Sequence, residues 1–496
     1  MLNKPYLKYS IVKMLLVQLC LLLISCWGYG QTYVGVLSGP NNSGEFYNNN
    51  SIELVNGFSS NPEPGQVFHA FITASDCVPI VTSLTPGKNY IISSKPLISG
   101  ITNASQLSGR TTCEVAQSVK YFDNLGRPLQ TILKQASPTD KDVIQTYLYD
   151  QFGRDSIRYL PYAAFGTIAS DGSYKASAIT DQASFFSPTA PGASGIGTSL
   201  FPYSQTAYEP SPLSRMAEEG EIGDAWQLTG KTGAVSPGHT VKISYQTNNN
   251  ITWAADSVHS YQAALFTATT TISTQVRTLG RLNSTATYNP SQLYVVVSKN
   301  ENWKSGRGGT TEIYKDKAGH VVLSRIYLYN GSLNILSTYY VYDDFGNLAF
   351  IIPPLANADQ TVPNQTTLDN VCYQYRYDEW HRLTQKKVPG KDWEYFVYNQ
   401  ADQLVAWQDG NQRTTNKWTF SKYDVQGREV VTGVWNNNNT AISQIALQGV
   451  LNTQTNLTES RTPGNYYTLV AWPTTYQATL GVNYYDNYTF PDNTPT

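Results

Sequence analysis

The chain has 496 residues, and its 34 Lys and Arg against 36 Asp and Glu give a net charge of -2, which argues against the basic face a nucleic-acid binder presents. Charged residues make up 14% and hydrophobic residues 41%, which excludes intrinsic disorder, a collagen and a coiled coil. Five cysteines exclude a disulfide-dense mini-domain, and 36 Tyr beside many Asn, Thr and Gly describe a β-rich chain whose polar surface is mostly uncharged.

Residues 1–30 read as an export signal. Lys4, Lys8 and Lys13 precede an apolar run from Met14 to Ile24 that is too short to span a bilayer comfortably. Gly28-Tyr29-Gly30 before Gln31 puts small residues where a signal peptidase needs them. Leu23-Ile24-Ser25-Cys26 resembles a lipobox, in which Cys26 is the candidate lipidation site. The distance from the apolar run to Gln31 favours soluble export. The expected location is therefore secreted or cell-surface, with membrane attachment only if Cys26 is lipidated. Cys77, Cys113 and Cys372 then meet an oxidising compartment. Cys77 and Cys113 are a candidate disulfide pair, and three buried free thiols are the alternative. No Cys/His spacing points to zinc, and no cofactor is expected.

Residues 31–118 alternate turn clusters (Gly39-Pro40-Asn41-Asn42, Asn61-Pro62-Glu63-Pro64-Gly65) with short β-prone runs at 68–72 and 90–92, which predicts a small β-rich N-terminal region. A Pro/Ser/Gly-rich connection spans 187–199. Residues 214–222 have room for one or two helical turns, and no other stretch carries a helical period.

From Tyr121 onward one unit recurs. Phe122-Asp123-Asn124-Leu125-Gly126-Arg127 is followed by Tyr149-Asp150-Gln151-Phe152-Gly153-Arg154, then by Asp316-Lys317-Ala318-Gly319-His320 and Tyr342-Asp343-Asp344-Phe345-Gly346-Asn347. Tyr377-Asp378-Glu379-Trp380-His381-Arg382, Tyr398-Asn399-Gln400-Ala401-Asp402-Gln403 and Tyr423-Asp424-Val425-Gln426-Gly427-Arg428 complete the series. The steps are 27 (123 to 150), 27 (316 to 343), 35 (343 to 378), 21 (378 to 399) and 25 (399 to 424). Such spacing marks a repeat of fixed architecture and tolerant length. Asp can accept a hydrogen bond from the backbone two residues on, and Gly can take positive φ without steric cost, so each unit reads as a hairpin turn with a G1 bulge. His381 and Asp402 replace that Gly and must accept the left-handed region, which predicts looser turns. Alternation places Tyr373, Tyr375 and Tyr377 on one strand face, and Tyr340 and Tyr342 on another.

These turns resemble the YD repeat of the RHS family, Tyr-Asp-x-x-Gly-Arg-Leu. Residues 119–130, Tyr159-Leu160-Pro161-Tyr162, Tyr208-Glu209-Pro210-Ser211-Pro212-Leu213-Ser214-Arg215 and 223–226 are similar to a domain of unknown function that opens secreted RHS-repeat proteins of Bacteroidetes-type bacteria. The resemblance covers roughly residue 89 to the C-terminus. It implies an all-β fold in which an antiparallel ribbon of hairpins forms part of a spiral shell. In complete members such a shell commonly encloses a C-terminal toxin or effector. The expected divisions are 1–30 signal peptide, 31–118 N-terminal β-rich region, 119–290 RHS-associated domain of unknown function and 291–496 YD repeats. The RHS core signature and the C-terminal toxin are not found, so the repeat set is expected to be incomplete.

Other candidates for chemistry are weaker. His69, His239, His259, His320 and His381 are scattered at no metal spacing. Glu218, Glu219, Glu221 and Asp224 can supply paired carboxylates or calcium ligands, although a solvated loop explains them as well. Gly306-Arg307-Gly308-Gly309-Thr310 lacks the Lys-Ser/Thr of a P-loop and reads as a turn. Trp380, Trp393, Trp407, Trp418 and Trp435 can stack on sugars if they are exposed, or fill the wall if they are not. The expectation is a non-catalytic exported scaffold whose partner is a C-terminal or separately encoded effector. The competing reading is a cell-surface carbohydrate-binding or adhesive protein.

Overall fold

A computed structural model of the chain describes residues 77–189, 192, 195–491 and 493, together with 31–33, 36–37, 44–48, 52–54 and 68–72. The export signal, Cys20, Cys26 and the turn clusters at 39–42 and 61–65 lie outside the described residues. The chain divides into two compact units, Met1–Ala207 with Gly220–Pro237, and Tyr208–Glu219 with Gly238–Thr496. The fold is all-β and almost wholly antiparallel. The strands near the N-terminus depart from that pattern. Gln31–Tyr33, Gly44–Asn48 and Phe68–Ile72 pair in parallel, as do Val36–Leu37 and Glu53–Leu54.

In the first unit, strands Asn89–Pro96, Val115–Phe122, Pro128–Leu133, Val143–Tyr149 and Asp155–Tyr159 follow one another as an antiparallel meander. Strand alternation decides what is buried. Val119 and Tyr121 point inward and join Ile132, Ile144 and Tyr162 in the core, and Val115 on the same face is also buried. Helix α1 (Ala178–Phe185) covers this core with Ala178, Gln182 and Phe185, a spacing that puts all three on one helix face. The Gln182 amide also donates to the carbonyls of Leu160 and Pro202 (3.4 and 2.6 Å). The disulfide Cys77–Cys113 closes a loop of 36 residues in this unit.

The second unit continues the same hairpin grammar from Val241–Thr247 through Tyr294–Lys299 and on to Lys417–Asp424 and Glu429–Asn436. Strand Ala478–Val482 then pairs antiparallel with Glu429–Asn436, and no pairing among the described residues joins it back to the start of the unit, so the sheet is open. A separate hairpin, Thr267–Thr271 with Val276–Gly280, is inserted between Val241–Thr247 and Tyr294–Lys299. Tyr314, Leu323, Tyr339, Val341, Phe350 and Ile352 form the largest core. Fully burying a side chain such as Phe420 or Leu323 stabilises by roughly 1.5–3 kcal/mol.

Two local expectations are corrected. Residues 214–222 hold no helical turn; Met216–Gly220 is a strand. Short helices occur instead where no period is visible. They are α1, α2 (Gln365–Val371), α3 (Gly410–Thr414) and α4 (Gln444–Leu451). The starts of α2, α3 and α4 are set by caps, because Asn364, Asp409 and Ser443 accept the backbone N–H three residues on. Gln448 of α4 both accepts from Tyr398 N (3.0 Å) and donates to Tyr398 O (2.7 Å), standing in for a neighbouring strand.

Candidate functional site

All seven repeat turns share one hydrogen-bond scheme. The Oδ1 of the first residue (Asp123, Asp150, Asp316, Asp343, Asp378, Asn399 or Asp424) accepts the backbone N–H groups two and four residues on, at 2.8–3.1 Å. Its own N–H donates to the carbonyl four residues on, at 2.8–3.0 Å, which produces the bulge. The fourth residue is left-handed throughout: Gly126, Gly153, Gly319, Gly346 and Gly427 have φ 77–92°. His381 and Asp402 adopt φ 63° and 58° and still close the turn, at 3.1 and 3.2 Å. The His381 turn closes within the 2.9–3.1 Å of the glycine turns and the Asp402 turn is slightly longer at 3.2 Å, while the side-chain oxygen of Asp378 or Asn399 ties down the rest of each loop.

The fifth position adds charge. Arg127, Arg154, Arg382 and Arg428 donate Nε to the Oδ2 of their own Asp at 2.6–2.8 Å, and His320 does the same through Nδ1 at 3.0 Å. Hydrogen bonds from the Arg127 backbone and guanidinium hold the Asp123 carboxyl below the usual aspartate range.

The turns are also coupled to one another. Within the first unit Tyr149 donates its hydroxyl to Pro128 O, five residues past Asp123. Within the second, Tyr342, Tyr377, Tyr398 and Tyr423 donate to Val321, Leu348, Leu383 and Leu404 O, each five residues past the preceding Asp or Asn, at 2.7–3.2 Å. The basic group of one turn packs over the tyrosine of the next. Arg127 lies 4.6 Å from the Tyr149 centroid, Arg382 lies 4.9 Å from Tyr398, and the His320 ring stacks on Tyr342 at 4.5 Å. Two kinds of tyrosine thus alternate on one strand. Tyr339 is core, whereas Tyr340 and Tyr342 occupy the opposite, half-buried face.

The ladder has a further rung that sequence reading missed. Tyr485 donates to Glu429 O (3.1 Å), five residues past Asp424, and Arg428 packs 4.5 Å over its ring. Asp486 receives both terminal nitrogens of Arg428 at 2.7 Å. The signal was the bare Tyr485-Asp486 pair, which has no Gly three residues on.

The remaining candidates are distributed rather than convergent. His259 bonds Asp256 (2.7 Å) and His381 bonds Asn347 (3.0 Å). His69 lies on strand Phe68–Ile72. Glu218 accepts from Thr240 (2.6 Å) and pairs with Lys242 (3.5 Å), while Asp224 accepts from Val235 N. Among the described residues no three His, Cys, Asp or Glu side chains come close enough to hold a metal ion. Of the five tryptophans considered, Trp418 is buried and Trp380 is 60% exposed. Trp393 lies under Arg376, Trp435 packs on Trp472, and Trp407 is half-buried. Cys372 is a buried free thiol, and its burial pushes its pKa up to about 11.

Arg307, within the Gly-rich turn 306–310, is a buried anchor that sequence reading passed over. It pairs with Glu312 (3.2 Å) and packs between Trp253, Tyr261 and Tyr327. Glu312 in turn accepts from Tyr314 (2.7 Å) and Tyr327 (3.0 Å). Beside this cluster Arg325 pairs with Asp359 (2.7 Å), which also accepts from Tyr339 (2.6 Å). An open groove of about 530 Å³ lies elsewhere in the unit, and its carboxylates are engaged: Asp369 accepts from Gln365 and Gln374, and Glu394 pairs with Lys386.

No curated protein matches the chain. Several solved structures resemble it at low similarity. A TcdB2–TccC3 crystal structure without the hypervariable C-terminal region is 12% identical with a TM-score of 0.39, over 73% of this chain and 15% of that one. The Photorhabdus luminescens Tc holotoxin pore is 12% identical with a TM-score of 0.38, over 74% and 15%. The TcdB2–TccC3–TEV structure is 13% identical with a TM-score of 0.36, over 66% and 13%. The chain therefore spans only 13–15% of the length of these proteins. Residues 95–240 match the family described as a domain of unknown function, DUF6443.

Proposed function

We propose that this chain is a non-catalytic, exported scaffold: a length of RHS/YD-repeat β wall of the kind that, in complete relatives, encloses a C-terminal or separately encoded effector where cells meet. The observation that carries the reading is the ladder. Successive turns are joined by a tyrosine hydroxyl donated to the carbonyl of the turn before, and where the fifth residue is Arg127, His320, Arg382 or Arg428 it packs over that tyrosine ring, so the structure grows by repetition, as in other quasi-one-dimensional proteins. The arginines of four turns pair with the aspartates of their own turns, which supports a structural role for them. The match of residues 95–240 to a domain of unknown function supports the same reading. Its partners are an effector polypeptide or cell-surface glycans, not nucleic acid, and it meets a membrane only if Cys26 is lipidated.

The test is fractionation of the native host with the chain tagged internally on an exposed loop. The reading requires recovery in the culture fluid or at the surface, with the repeat region resisting added protease. Recovery in the cytoplasm would sink it. A second reading, a glycan binder, is favoured by one observation. Phe152, Phe345 and Trp380 stand at the third position of their turns and are 69%, 56% and 60% exposed. A glycan array with the purified chain decides that reading, and an empty array removes it.

A further inference from the structure

The connection carrying Trp253 and Gln262 meets strands Val321–Tyr329 and Leu333–Tyr342 around a cavity of about 210 Å³. That volume is below the ~300–1,000 Å³ of sites for drug-sized molecules, which restricts an occupant to a single ring. The wall holds Arg281, Arg325 and Asp359, two cations and one anion. Arg325 is satisfied: it pairs with Asp359 at 2.7 Å and donates to Gln262 O at 2.8 Å and Ser337 at 3.1 Å. Arg281 has no carboxylate partner among the described residues. It donates to Ala286 O at 2.9 Å, and its two terminal nitrogens reach only Thr285 O at 3.4 Å and Ala358 O at 3.5 Å. Those long contacts leave its fork free to take a planar anion in place of weak backbone bonds. Trp253 is 37% exposed and stacks on Tyr327 at 6.0 Å and 15°, so a rigid indole is held at the cavity wall.

We propose that this cavity binds one carboxylated sugar ring, either free or at the end of a glycan. Arg281 takes the carboxylate, Asp359 and the Gln262 amide take hydroxyls, and Trp253 covers the apolar face of the ring. Arg281, the one cation of this wall without a carboxylate partner among the described residues, matches one negative charge on the ligand, and the mixture of amide, carboxylate and indole matches a polyhydroxylated ring rather than a hydrocarbon.

Isothermal titration of the full chain with glucuronate, galacturonate, glucose and inorganic phosphate tests this. The expected result is saturable binding of at least one uronate, with glucose and phosphate at least tenfold weaker. Arg281→Gln should lose at least tenfold in uronate affinity at an unchanged melting temperature, and Trp253→Phe should weaken binding while keeping the preference for the acid. Equal binding of glucose and uronate, equal binding of phosphate and uronate, no binding of any, or wild-type affinity in a folded Arg281→Gln chain would each overturn the proposal. Comparing the free uronate with a short oligomer bearing it at its end separates the two sources of ligand.

Discussion

Arg277 holds Asp343 from outside the turn that Asp343 opens. Its Nε and Nη2 lie 3.0 and 2.9 Å from Asp343 Oδ2, its Nη1 donates to Tyr377 O at 2.7 Å, and both side chains are buried. In four sister turns an arginine four residues past the Asp makes this contact; here that position is Asn347. The guanidinium also lies 5.5 Å over Tyr377, as Arg382 lies over Tyr398. The inserted hairpin Thr267–Gly280 thus supplies the cation the repeat lacks, and this pins the hairpin to the sheet.

Arg277→Ala should therefore cost about 3–5 kcal/mol, because it strands a buried carboxylate, and amide exchange should rise along 267–280. Adding Asn347→Arg should recover part of the stability in urea titrations without restoring protection of the hairpin. Recovery of both would show that the hairpin is held by something else.

Lys422 and Glu459 form a second buried pair, at 2.7 Å and fully shielded. Glu459 also accepts from Thr468, Val470 N and Ala471 N, so a single carboxylate organises the loop after α4. Lys422→Met alone should destabilise by about 3–5 kcal/mol, and a paired change with Glu459→Gln should cost less than the two single changes added together. A double-mutant cycle in urea reads the coupling.

The turn positions separate backbone cost from contact cost. A Cβ at Gly427 would meet only Gln403 Nε2 at 3.6 Å, ordinary contact, yet φ is 78°. Gly427→Ala should cost about 1–2 kcal/mol through the backbone alone. Asp402→Gly should change stability by less than about 1 kcal/mol, since relief at φ 58° offsets the flexibility of glycine and the ion pair to Arg382 is exposed. Thermal melting of the two variants compares them directly.

The sequence made the turns legible because their chemistry is local: Asp, Gly and Arg within six residues encode a complete hydrogen-bond scheme. What it hid is non-local. Arg277 lies 66 residues from Asp343, and Tyr485 completes a rung without a glycine to announce it. The helices were invisible because runs of five to eight residues are too short to show a period, and only Asn364, Asp409 and Ser443 marked their starts. The tyrosine count was a compositional fact until the strands divided it between core rings such as Tyr339 and ladder rings such as Tyr342.

Acid should weaken the Glu209–Arg215 ion pair. Hydrogen bonds from Arg215 and Ser211 hold the Glu209 carboxyl at about 2, below the ordinary glutamate value near ~4.3. A lowered folded pKa means that the contribution of the pair is complete above the ordinary value and fades as pH falls toward 2. The difference in urea midpoint between wild type and Glu209→Gln should therefore be constant from pH 7 to 5 and shrink steadily from pH 4 to 2. A difference that grows on acidification would contradict the assignment.

The proposed function makes the repeat turns part of a wall around a polypeptide. Cryo-electron microscopy of the gene product, isolated from the surface or culture fluid of its native host, tests this most directly. The account predicts a curved β sheet whose turns are joined by the tyrosine–carbonyl ladder, with polypeptide density on its enclosed side. An isolated sheet with both faces open to solvent and no enclosed polypeptide would contradict it.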